Sequence, residues 1–310
     1  IDYVNDIDGP ETCNTYNMLK LTEDLNRVNH QGMYGDFYET AIFNHILSAQ
    51  HPEHGGYVYF TSARPRHYRN YSAPNKAMWC CVGTGMEDHG KYGQFIWTHD
   101  KGMKTEDDAL YVNLFVASEL NWKERKMVLR QQTAFPYAET SNIEVTKGKG
   151  VFTLKIRKPL WCDNFTVKGV GFVVDCYEEN GFVCIKRKWK KGDQVEISMP
   201  MHASIKPMIN VPQYVAIMYG PILLGMKSGT EDMRSLIADD SRFGQYAAGM
   251  KLPLDKAPIL LPKHLNDIAK DLKPIPDKPL HFKLATHMEN VINGELQPFF
   301  EIHDSRYMMY

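Results

Sequence analysis

The spacing of apolar residues changes once along this chain, near residue 100, and that change limits the folds that it can adopt. Over residues 10–98, as in PETCNTYNMLKLTEDLNRV and DFYETAIFNHILSAQ, apolar residues recur every three to four positions, which is the period of an amphipathic helix. From about residue 109 the period becomes two, in β-branched and aromatic segments separated by turn residues. The sequence therefore predicts helices first and strands afterwards.

Turn residues divide the strand-forming region at short intervals. Segments such as ALYVNLFVASEL, VFTLKIRKPL and QVEISM alternate as half-buried strands do. The stretch CYEENGFVC predicts a hairpin with Asn180 and Gly181 at its tip. Several short strands at this spacing favour an antiparallel sandwich over a parallel sheet. We therefore expect a multidomain α + β protein in which antiparallel β-sandwich domains follow the helices.

Charge and hydropathy exclude two classes of partner. The formal net charge is −1 over 310 residues, so no overall field attracts nucleic acid. The basic run KRKWKK at 186–191 alternates along a hairpin strand and is interpreted as a solvated face. The longest apolar stretch, YVAIMYGPILLGM, is interrupted by Gly220 and Pro221 and is too short to span a bilayer. We expect neither nucleic-acid binding nor membrane insertion, and the oligomeric state stays open.

Cysteine usage points to local chemistry rather than to a disulfide scaffold, for which six residues are too few at this length. The cysteines are at positions 13, 80, 81, 162, 176 and 184. The last three lie in strand-like apolar runs and are interpreted as buried small hydrophobic residues. Cys13, Cys80 and Cys81 lie instead in polar, aromatic and glycine-rich segments. The adjacent pair suggests a metal site, a reactive thiol or ordinary core packing.

The motif ETC follows Gly9 and Pro10, where the first helix is expected to begin. On a regular helix, residues two apart point in nearly opposite directions. Glu11 and Cys13 can therefore converge on one atom only at an irregular helix start. A thiol in that position also lies near the positive end of the helix dipole, which favours the thiolate.

With Cys80 and Cys81, the ETC motif supplies three sulfurs and one carboxylate, a complete tetrahedral set for zinc. The spacing is not the CxxC pattern of zinc ribbons, so three unrelated buried cysteines are an alternative. Other polar residues crowd the same region, and each of them singly is more often an ordinary surface or core residue than a functional one. They are Glu39, Glu53, Glu87, His54, His67, His89, Tyr57, Tyr59, Arg64 and Arg66.

Four segments in this order, ETCNTYNMLKL, YETAIFNHIL, HPEHGGYVYF and MWCCVGTGMEDHGKYG, resemble the β-L-arabinofuranosidase families of glycoside hydrolases, numbered 127 and 146. The resemblance continues through LYVNLFVASEL, YGPILLG and EIHDSRYMMY and so covers nearly the whole chain. It implies that residues 1–100 are helices of a partial (α/α)6 barrel, most of which would precede residue 1. Residues 101–206 would form a β-sandwich domain, and residues 207–310 a second β-rich domain that is expected to be truncated.

The resemblance also implies a set of site residues. Zinc would be bound by Glu11, Cys13, Cys80 and Cys81, with Cys80 as the catalytic nucleophile and Glu39 and Tyr59 as substrate-binding residues. The acid/base glutamate of these families lies upstream of the Glu-x-Cys motif and is expected before residue 1. The 310 residues alone could then be inactive.

The implied function is that of a retaining glycosidase that releases β-L-arabinofuranosyl residues from plant-type glycans. A zinc-bound cysteine would replace the usual nucleophilic carboxylate. The partner would be an arabinose-containing oligosaccharide or polysaccharide, and glycan degradation would place the protein in the periplasm or outside the cell. Two alternatives stay open. One is a zinc hydrolase that uses metal-bound water, which a closed set of four protein ligands disfavours; the other is a non-catalytic carbohydrate-binding module with a structural zinc site.

Overall fold

The chain forms, in a computed structural model, a mixed α + β protein with few helices and several sheets, as the change of period predicts. The structure describes residues 4–239, 241, 243–291 and 294–310. It divides into two units built from separated stretches of chain. Unit 1 comprises Ile1–Lys20, Thr40–His89 and His202–Tyr310, and unit 2 comprises Leu21–Glu39 and Gly90–Met201. The domain boundaries at residues 100 and 206 stay a prediction.

Most of the α-helical residues lie in the first third of the chain. The α-helices are α1 (Thr12–Val28), α2 (Gly32–Ala41), α3 (Cys80–Lys91), α4 (Gly93–Ile96) and α5 (Asp267–Asp271). A π-helix at Ile42–Ile46 continues α2, and 3-10 turns lie at Leu47–Ala49, Thr105–Asp107, Lys123–Arg125, Leu254–Lys256 and Phe299–Glu301. Within the described ranges, none of the helices has the length and apolar character that crossing a membrane would require.

The third helix begins at Cys80, in a glycine-rich segment. Glycine disfavours a helix through its backbone entropy. Here Cys81 is fully buried and Trp79 packs in a small apolar cluster with Ala77. Tertiary packing therefore outweighs the low helix propensity of this segment.

Unit 2 contains two five-stranded sheets. Their strands are β1 (Trp97–Asp100), β2 (Ala109–Val112), β3 (Ser118–Trp122), β4 (Met127–Thr133), β5 (Thr140–Lys147), β6 (Lys149–Arg157), β7 (Thr166–Gly169), β8 (Tyr177–Glu179), β9 (Phe182–Lys190) and β10 (Gln194–Ser198). The strand orders are β1-β2-β6-β9-β8 and β3-β4-β5-β10-β7. Both sheets bury apolar side chains in one shared core that includes Leu129, Phe152 and Trp189. Two sheets that share a core are the arrangement of a sandwich.

The predicted hairpin is confirmed, but the purely antiparallel pairing is wrong for one pair of strands. Asn180 and Gly181 connect β8 to β9 with φ of 51° and 81°, as a two-residue hairpin turn with two positive φ angles requires. Strand β2 pairs with β6 in parallel. The chain leaves β2, forms three strands of the other sheet and returns, so β6 runs in the same direction as β2.

Unit 1 carries the remaining strands, and these pair antiparallel throughout the described residues. They are β11 (Ala203–Met208), β12 (Val211–Tyr219), β13 (Ile222–Lys227), β14 (Ile259–Leu260), β15 (Leu272–Pro274), β16 (Phe282–Leu284), β17 (Met288–Glu289), β18 (Glu295–Pro298) and β19 (Tyr307–Met308). The main sheet has the order β11-β12-β13-β18-β16-β15, with β19 also paired to β13. Asn44 in the π-helix attaches to this sheet, since it donates to the Pro221 carbonyl at 2.8 Å and accepts from the Leu223 amide at 2.7 Å.

Three histidines of unit 1 are held in the neutral form. His303 Nε2 donates to the Phe300 carbonyl at 2.9 Å, which leaves Nδ1 to accept the Tyr71 hydroxyl at 2.8 Å. Burial lowers the pKa of His303 to about 4, and the positive charge of Arg69 adds to the decrease. Burial likewise lowers the pKa values of His45 and His67 to about 4. At low pH the unfolded chain binds a proton at each of these histidines and the folded protein does not. Each of them therefore lowers the free energy of unfolding as the pH falls.

We expect a His303→Gln variant to gain stability relative to the wild type as the pH falls from 6.5 to about 4. In that window the unfolded chain binds a proton at residue 303 that the folded wild type does not. His303 therefore lowers the free energy of unfolding of the wild type by up to about 1.4 kcal/mol per pH unit within the window, and it has no such effect above the window. Urea unfolding of both proteins at several pH values in the window measures the difference between their free energies of unfolding. A difference that stays constant with pH would contradict a lowered pKa for His303.

Two glycines of α3 provide a matched pair for testing how tightly the helix packs. A Cβ on Gly85 would lie 2.3 Å from Cδ1 of Tyr57, whereas a Cβ on Gly83 would meet no heavy atom within 4 Å. We expect Gly83→Ala to stabilise the protein by about 0.5–1 kcal/mol through helix propensity. Gly85→Ala should destabilise it by roughly 1–3 kcal/mol because the Tyr57 ring must move. Equal effects of the two substitutions in chemical denaturation would contradict this packing.

Candidate metal centre

Four side chains of ligand type meet in unit 1 where α1 and α3 begin. Glu11 and Cys13 lie at the start of α1, and Cys80 and Cys81 are the first residues of α3. One donor atom from each side chain lies within 4.8 Å of the other three. Cys13 and Cys81 are buried, Glu11 is half-buried and Cys80 is exposed, and the cysteines form no disulfide. The residues that the sequence proposes as zinc ligands are therefore brought together.

The ETC turn is held in place by the segment at residues 58–61. The Thr12 amide donates to the Tyr59 carbonyl at 3.0 Å, and the Thr61 amide donates to the Pro10 carbonyl at 3.2 Å. Gly9 permits this approach, because a Cβ there would lie 1.8 Å from the Thr61 carbonyl oxygen. Two short stretches of backbone are thus paired at the entry to α1.

This pairing explains how two residues with a spacing of two can face one ion. Glu11 forms an isolated antiparallel bridge with Phe60, and the regular helix begins only at Thr12. Extended backbone at Glu11 and helical backbone at Cys13 direct the carboxylate and the thiol to the same side. The helix start is irregular in the way that the ETC spacing requires.

Cys80 and Cys81 face the same carboxylate from the start of α3. Cys80 Sγ lies 3.6 Å and Cys81 Sγ lies 3.9 Å from Oε1 of Glu11. Cys81 Sγ also lies 3.1 Å from Cys13 Sγ. Both adjacent cysteines therefore contact the carboxylate of Glu11, and they do not form a disulfide with each other.

The donor spacing fits a tetrahedral ion. With metal–sulfur bonds of about 2.3 Å and metal–oxygen bonds of about 2.0 Å, the tetrahedral edges are about 3.8 Å between sulfurs and about 3.5 Å between sulfur and oxygen. The two sulfur–oxygen distances to Glu11, 3.6 and 3.9 Å, are close to this edge. The 3.1 Å between Cys13 and Cys81 is shorter than the edge and would lengthen around an ion. The cluster could therefore bind a metal ion.

Burial keeps protons on the two inner thiols. It raises the pKa of Cys13 to about 11, although hydrogen bonds with Thr84 and Cys81 act in the opposite direction. Burial also raises the pKa of Cys81 above its usual range. Three thiolates cannot accumulate so close together without a compensating cation, and a bound cation would release these protons.

Thr84 is a contact of the cluster that the sequence interpretation missed. Its Oγ1 lies 3.4 Å from Cys13 Sγ and 3.5 Å from the Cys81 carbonyl oxygen. Once the helix is known to begin at Cys80, the spacing of three residues from Cys81 places Thr84 on the same side of α3. A glycine-rich segment with an uncertain helix start hid that signal.

Tyr59 lies beside the cluster, within unit 1. Its ring packs edge-on against Trp79, with 6.3 Å between ring centroids. Burial raises the pKa of Tyr59, and its interaction with Cys80 adds to the increase. The phenol therefore stays protonated and can donate a hydrogen bond. Its contact with substrate stays a prediction.

Glu39 belongs to unit 2, where its carboxylate is buried at 2% exposure. Arg157 Nη2 donates to Oε1 at 2.5 Å, and Trp161 Nε1 donates to Oε2 at 2.8 Å. Arg157 also donates to Asp36 at 2.6 Å. Burial raises the pKa of Glu39, while the positive charge of Arg157 opposes the increase. Both oxygens of Glu39 therefore have partners in unit 2, and its role in substrate binding stays a prediction.

Several of the other polar candidates have partners of their own. Glu87 accepts a hydrogen bond from the Tyr16 hydroxyl. His54 stacks on His51 at 3.8 Å between ring centroids. Arg64 donates to the Leu252 carbonyl at 2.8 Å. None of these three residues is among the four that converge on one ion position.

We expect Glu39→Gln to lower the free energy of unfolding of unit 2 by roughly 3 kcal/mol, because it leaves the fully buried Arg157 with one negative charge instead of two. Glu119→Gln is the matched control, since Glu119 pairs with Arg130 at an exposed position. That change should cost less than about 1 kcal/mol. Denaturation followed by tryptophan fluorescence compares the two variants, and equal losses would show that the buried pair is not a structural requirement.

Models of known protein families match the helical region and the two strand-forming regions of the chain separately. Residues 2–94 match the family model for the β-L-arabinofuranosidase GH127 catalytic domain, and residues 109–201 match that for the GH127 middle domain. Residues 204–310 match a domain of unknown function. No curated protein matches the chain.

Solved structures with the same fold span about twice the length of this chain. A GH127 β-arabinofuranosidase matches with a TM-score of 0.67 and 19% identity over 98% of this chain and 50% of its own. A glycoside hydrolase matches with a TM-score of 0.67 and 18% identity, over 96% and 51% of the two chains. A GH127 β-L-arabinofuranosidase from Geobacillus stearothermophilus T6 matches with a TM-score of 0.66 and 20% identity, over 99% and 50%.

These structural similarities, at such low identities, show the fold. Family membership rests on the two GH127 models, whose matched regions lie in the same order as the helical and strand-forming regions of the sequence. Together the two models cover more than half of the chain, which therefore belongs to the GH127 family of β-L-arabinofuranosidases.

Proposed function

We propose that this chain carries the nucleophile and the metal site of a retaining glycoside hydrolase, which releases β-L-arabinofuranosyl residues from plant-type glycans. The observation that supports this proposal is the cluster of Glu11, Cys13, Cys80 and Cys81, in which Cys80 is the one exposed ligand. Membership of the GH127 family supports the same class of reaction and an arabinose-containing substrate.

Zinc is the ion that we propose for the cluster. Three sulfurs and one carboxylate form a closed tetrahedral donor set, and thiolate donors favour zinc over magnesium or calcium. When bound, zinc would hold the three sulfurs as thiolates and stabilise the sulfur of Cys80 as a leaving group. Four protein ligands leave no open position for a catalytic water, which disfavours a zinc hydrolase of the usual type.

The proposed reaction has two displacements at the anomeric carbon. The thiolate of Cys80 forms a bond to that carbon as the glycosidic carbon–oxygen bond breaks, and a general acid protonates the departing oxygen. Water then attacks the same carbon and gives a proton to the conjugate base of that acid, while the electron pair of the carbon–sulfur bond returns to Cys80. Two inversions give net retention. Cys13 and Cys81 are buried and so act only as ligands.

Two further residues are proposed to contact the sugar. Tyr59 keeps its proton because burial raises its pKa, so its hydroxyl can donate to a sugar oxygen. Glu39 would have to exchange at least one of its bonds to Arg157 and Trp161 for such a contact. The proposed role of Glu39 is therefore the more demanding of the two.

We also propose that α1, α2 and α3 are part of an (α/α)6 barrel over residues 1–100. A β-sandwich domain at 101–206 and a second β-rich domain at 207–310 would follow it. The matches to the GH127 catalytic and middle domains support this division.

A non-catalytic sugar-binding module with a structural zinc site is the competing function. A purely structural site would gain nothing from an exposed ligand, because burial protects thiolates from oxidation and exchange. Of the four ligands, Cys80 is exposed. Its exposure therefore favours the enzyme.

Zinc content tests the ligand set directly. We expect about one zinc ion per chain, and we expect Cys13→Ala to abolish binding because it removes a buried ligand. Cys162→Ala is the control, since Cys162 is buried among the apolar residues of unit 2. Elemental analysis of the purified proteins gives the stoichiometry, and retention of zinc by Cys13→Ala would contradict the assigned set.

Covalent labelling tests the nucleophile, with the natural protein that contains this sequence. An electrophilic L-arabinofuranose analogue should label Cys80, as detected by peptide mass spectrometry, and Cys80→Ser should lose the label together with roughly 10³-fold or more of the turnover. Cys176 is the internal control because it is also free and is exposed, although its apolar sequence context predicts a buried residue. Equal labelling of Cys176 and Cys80 would show non-specific thiol chemistry.

A further inference from the structure

Two stretches of the domain of unknown function, residues 236–239 and 243–249, lie against the chain that precedes α3. The Tyr71 amide donates to the Leu236 carbonyl at 2.8 Å, and the Ala238 amide donates to the Tyr71 carbonyl at 2.8 Å. This parallel bridge attaches the first stretch to the backbone around Tyr71. All of these residues belong to unit 1.

The second stretch is attached at both ends. Asn70 Nδ2 donates to the Gly244 carbonyl at 2.6 Å, and the Gly249 amide donates to the Tyr68 hydroxyl at 2.7 Å. A Cβ on Gly249 would lie 2.0 Å from the Asp232 carbonyl oxygen, so the backbone passes too close for any other residue. The aromatic residue between these anchors, Tyr246, therefore has a defined position.

Tyr246 continues a row of aromatic rings that begins next to Cys80. The Tyr59 ring lies 4.5 Å from the Phe60 ring, and the Phe60 ring lies 5.3 Å from the Tyr246 ring, tilted by 34°. Tyr59 interacts with Cys80, and Phe60 is the bridge partner of Glu11. The row thus extends from the proposed nucleophile to a tyrosine that is 39% exposed.

We propose that Phe60 and Tyr246 form a stacking platform for the sugar unit from which the arabinofuranosyl residue is released. This inference rests on the proposed function. Aromatic rings at a binding site provide a large apolar face at low entropic cost, and the apolar C–H face of a sugar ring can pack on them. Since the row leads from Tyr59 through Phe60 to Tyr246, we assign its outer two rings to the sugar on the leaving-group side and not to the sugar that is attacked.

The platform gives residues 236–239 and 243–249 a function in the active site. A segment of mostly irregular backbone, held by hydrogen bonds to residues 68–71, brings a sugar-binding ring from the C-terminal region to the cysteine centre. Irregular segments on a rigid scaffold commonly carry binding residues in this way.

Ligand affinity of the natural protein tests the platform with two non-hydrolysable probes. One is a disaccharide in which β-L-arabinofuranose is joined through sulfur to a second sugar, and the other is the S-methyl thioglycoside of β-L-arabinofuranose. We expect Tyr246→Ala to weaken binding of the disaccharide about 3- to 10-fold and to leave the methyl thioglycoside unchanged. Tyr246→Phe should behave as the wild type, because the ring and not the hydroxyl carries the contact.

Phe243→Ala is the matched control, since Phe243 lies in the same segment and is 77% exposed. It should change neither affinity. Zinc content and circular dichroism of each variant report whether the centre and the fold are intact. The calorimetric titration therefore compares proteins that differ only in one ring.

The outcomes separate this inference from the function on which it rests. If the wild type binds both probes and Tyr246→Ala binds the disaccharide equally well, the platform is overturned while the glycosidase proposal stands. Equal weakening of both probes also overturns it, because the ring would then act on the released sugar. If the wild type binds neither probe, the proposed function itself fails.

Discussion

The pairing of the entry to α1 with residues 58–61 is the interaction on which the centre depends. It holds Glu11 in extended backbone opposite Phe60, while Cys13 is already in the helix. A regular helix over the same residues would separate the carboxylate from the thiol. The same pairing sets Tyr59 next to Cys80. One short backbone contact thus determines both the ligand geometry and the first aromatic ring of the site.

The three sulfurs of the cluster differ in burial. Cys13 and Cys81 are inside, where desolvation favours their protonated forms and makes them strong partners for a cation but poor nucleophiles. Cys80 shares the cluster but is exposed. An ion in this position would be held by the buried Cys13 and Cys81, and its charge would also act on the exposed sulfur of Cys80. Adjacent cysteines at the start of α3 supply the outer sulfur, from Cys80, and an inner sulfur, from Cys81.

Much of this arrangement can be predicted from the sequence where local rules decide it. The change of hydrophobic period predicts the change from helices to strands, and Asn180-Gly181 predicts its hairpin because only a few residues tolerate two positive φ angles. Gly9 and Pro10 predict a helix start next to Glu11, and an irregular start is required only if Glu11 and Cys13 share one ion. Contacts between distant residues could not be predicted in this way. The parallel pairing of β2 with β6 depends on a crossover through the other sheet, and Glu39 meets Arg157 across 118 residues.

The C-terminal region, His202–Tyr310, belongs to the same unit as the loop that carries Tyr59 and Phe60. Hydrogen bonds from two arginines connect the two parts of the chain. Arg69 is buried and donates to the carbonyls of Ser48 and Ile302. Arg306, also buried, donates to the carbonyl of Arg66 at 2.7 Å.

A long irregular loop has carbonyl groups that no helix or strand satisfies, and each one buried without a partner is costly. Guanidinium groups carry five donors in a fixed plane and can satisfy several carbonyls at once. These hydrogen bonds therefore stabilise the loop beside the cysteine centre when Ile302 and Arg306 are folded against it. The region that matches a domain of unknown function thus contributes to the geometry of the site, even where it does not touch a ligand.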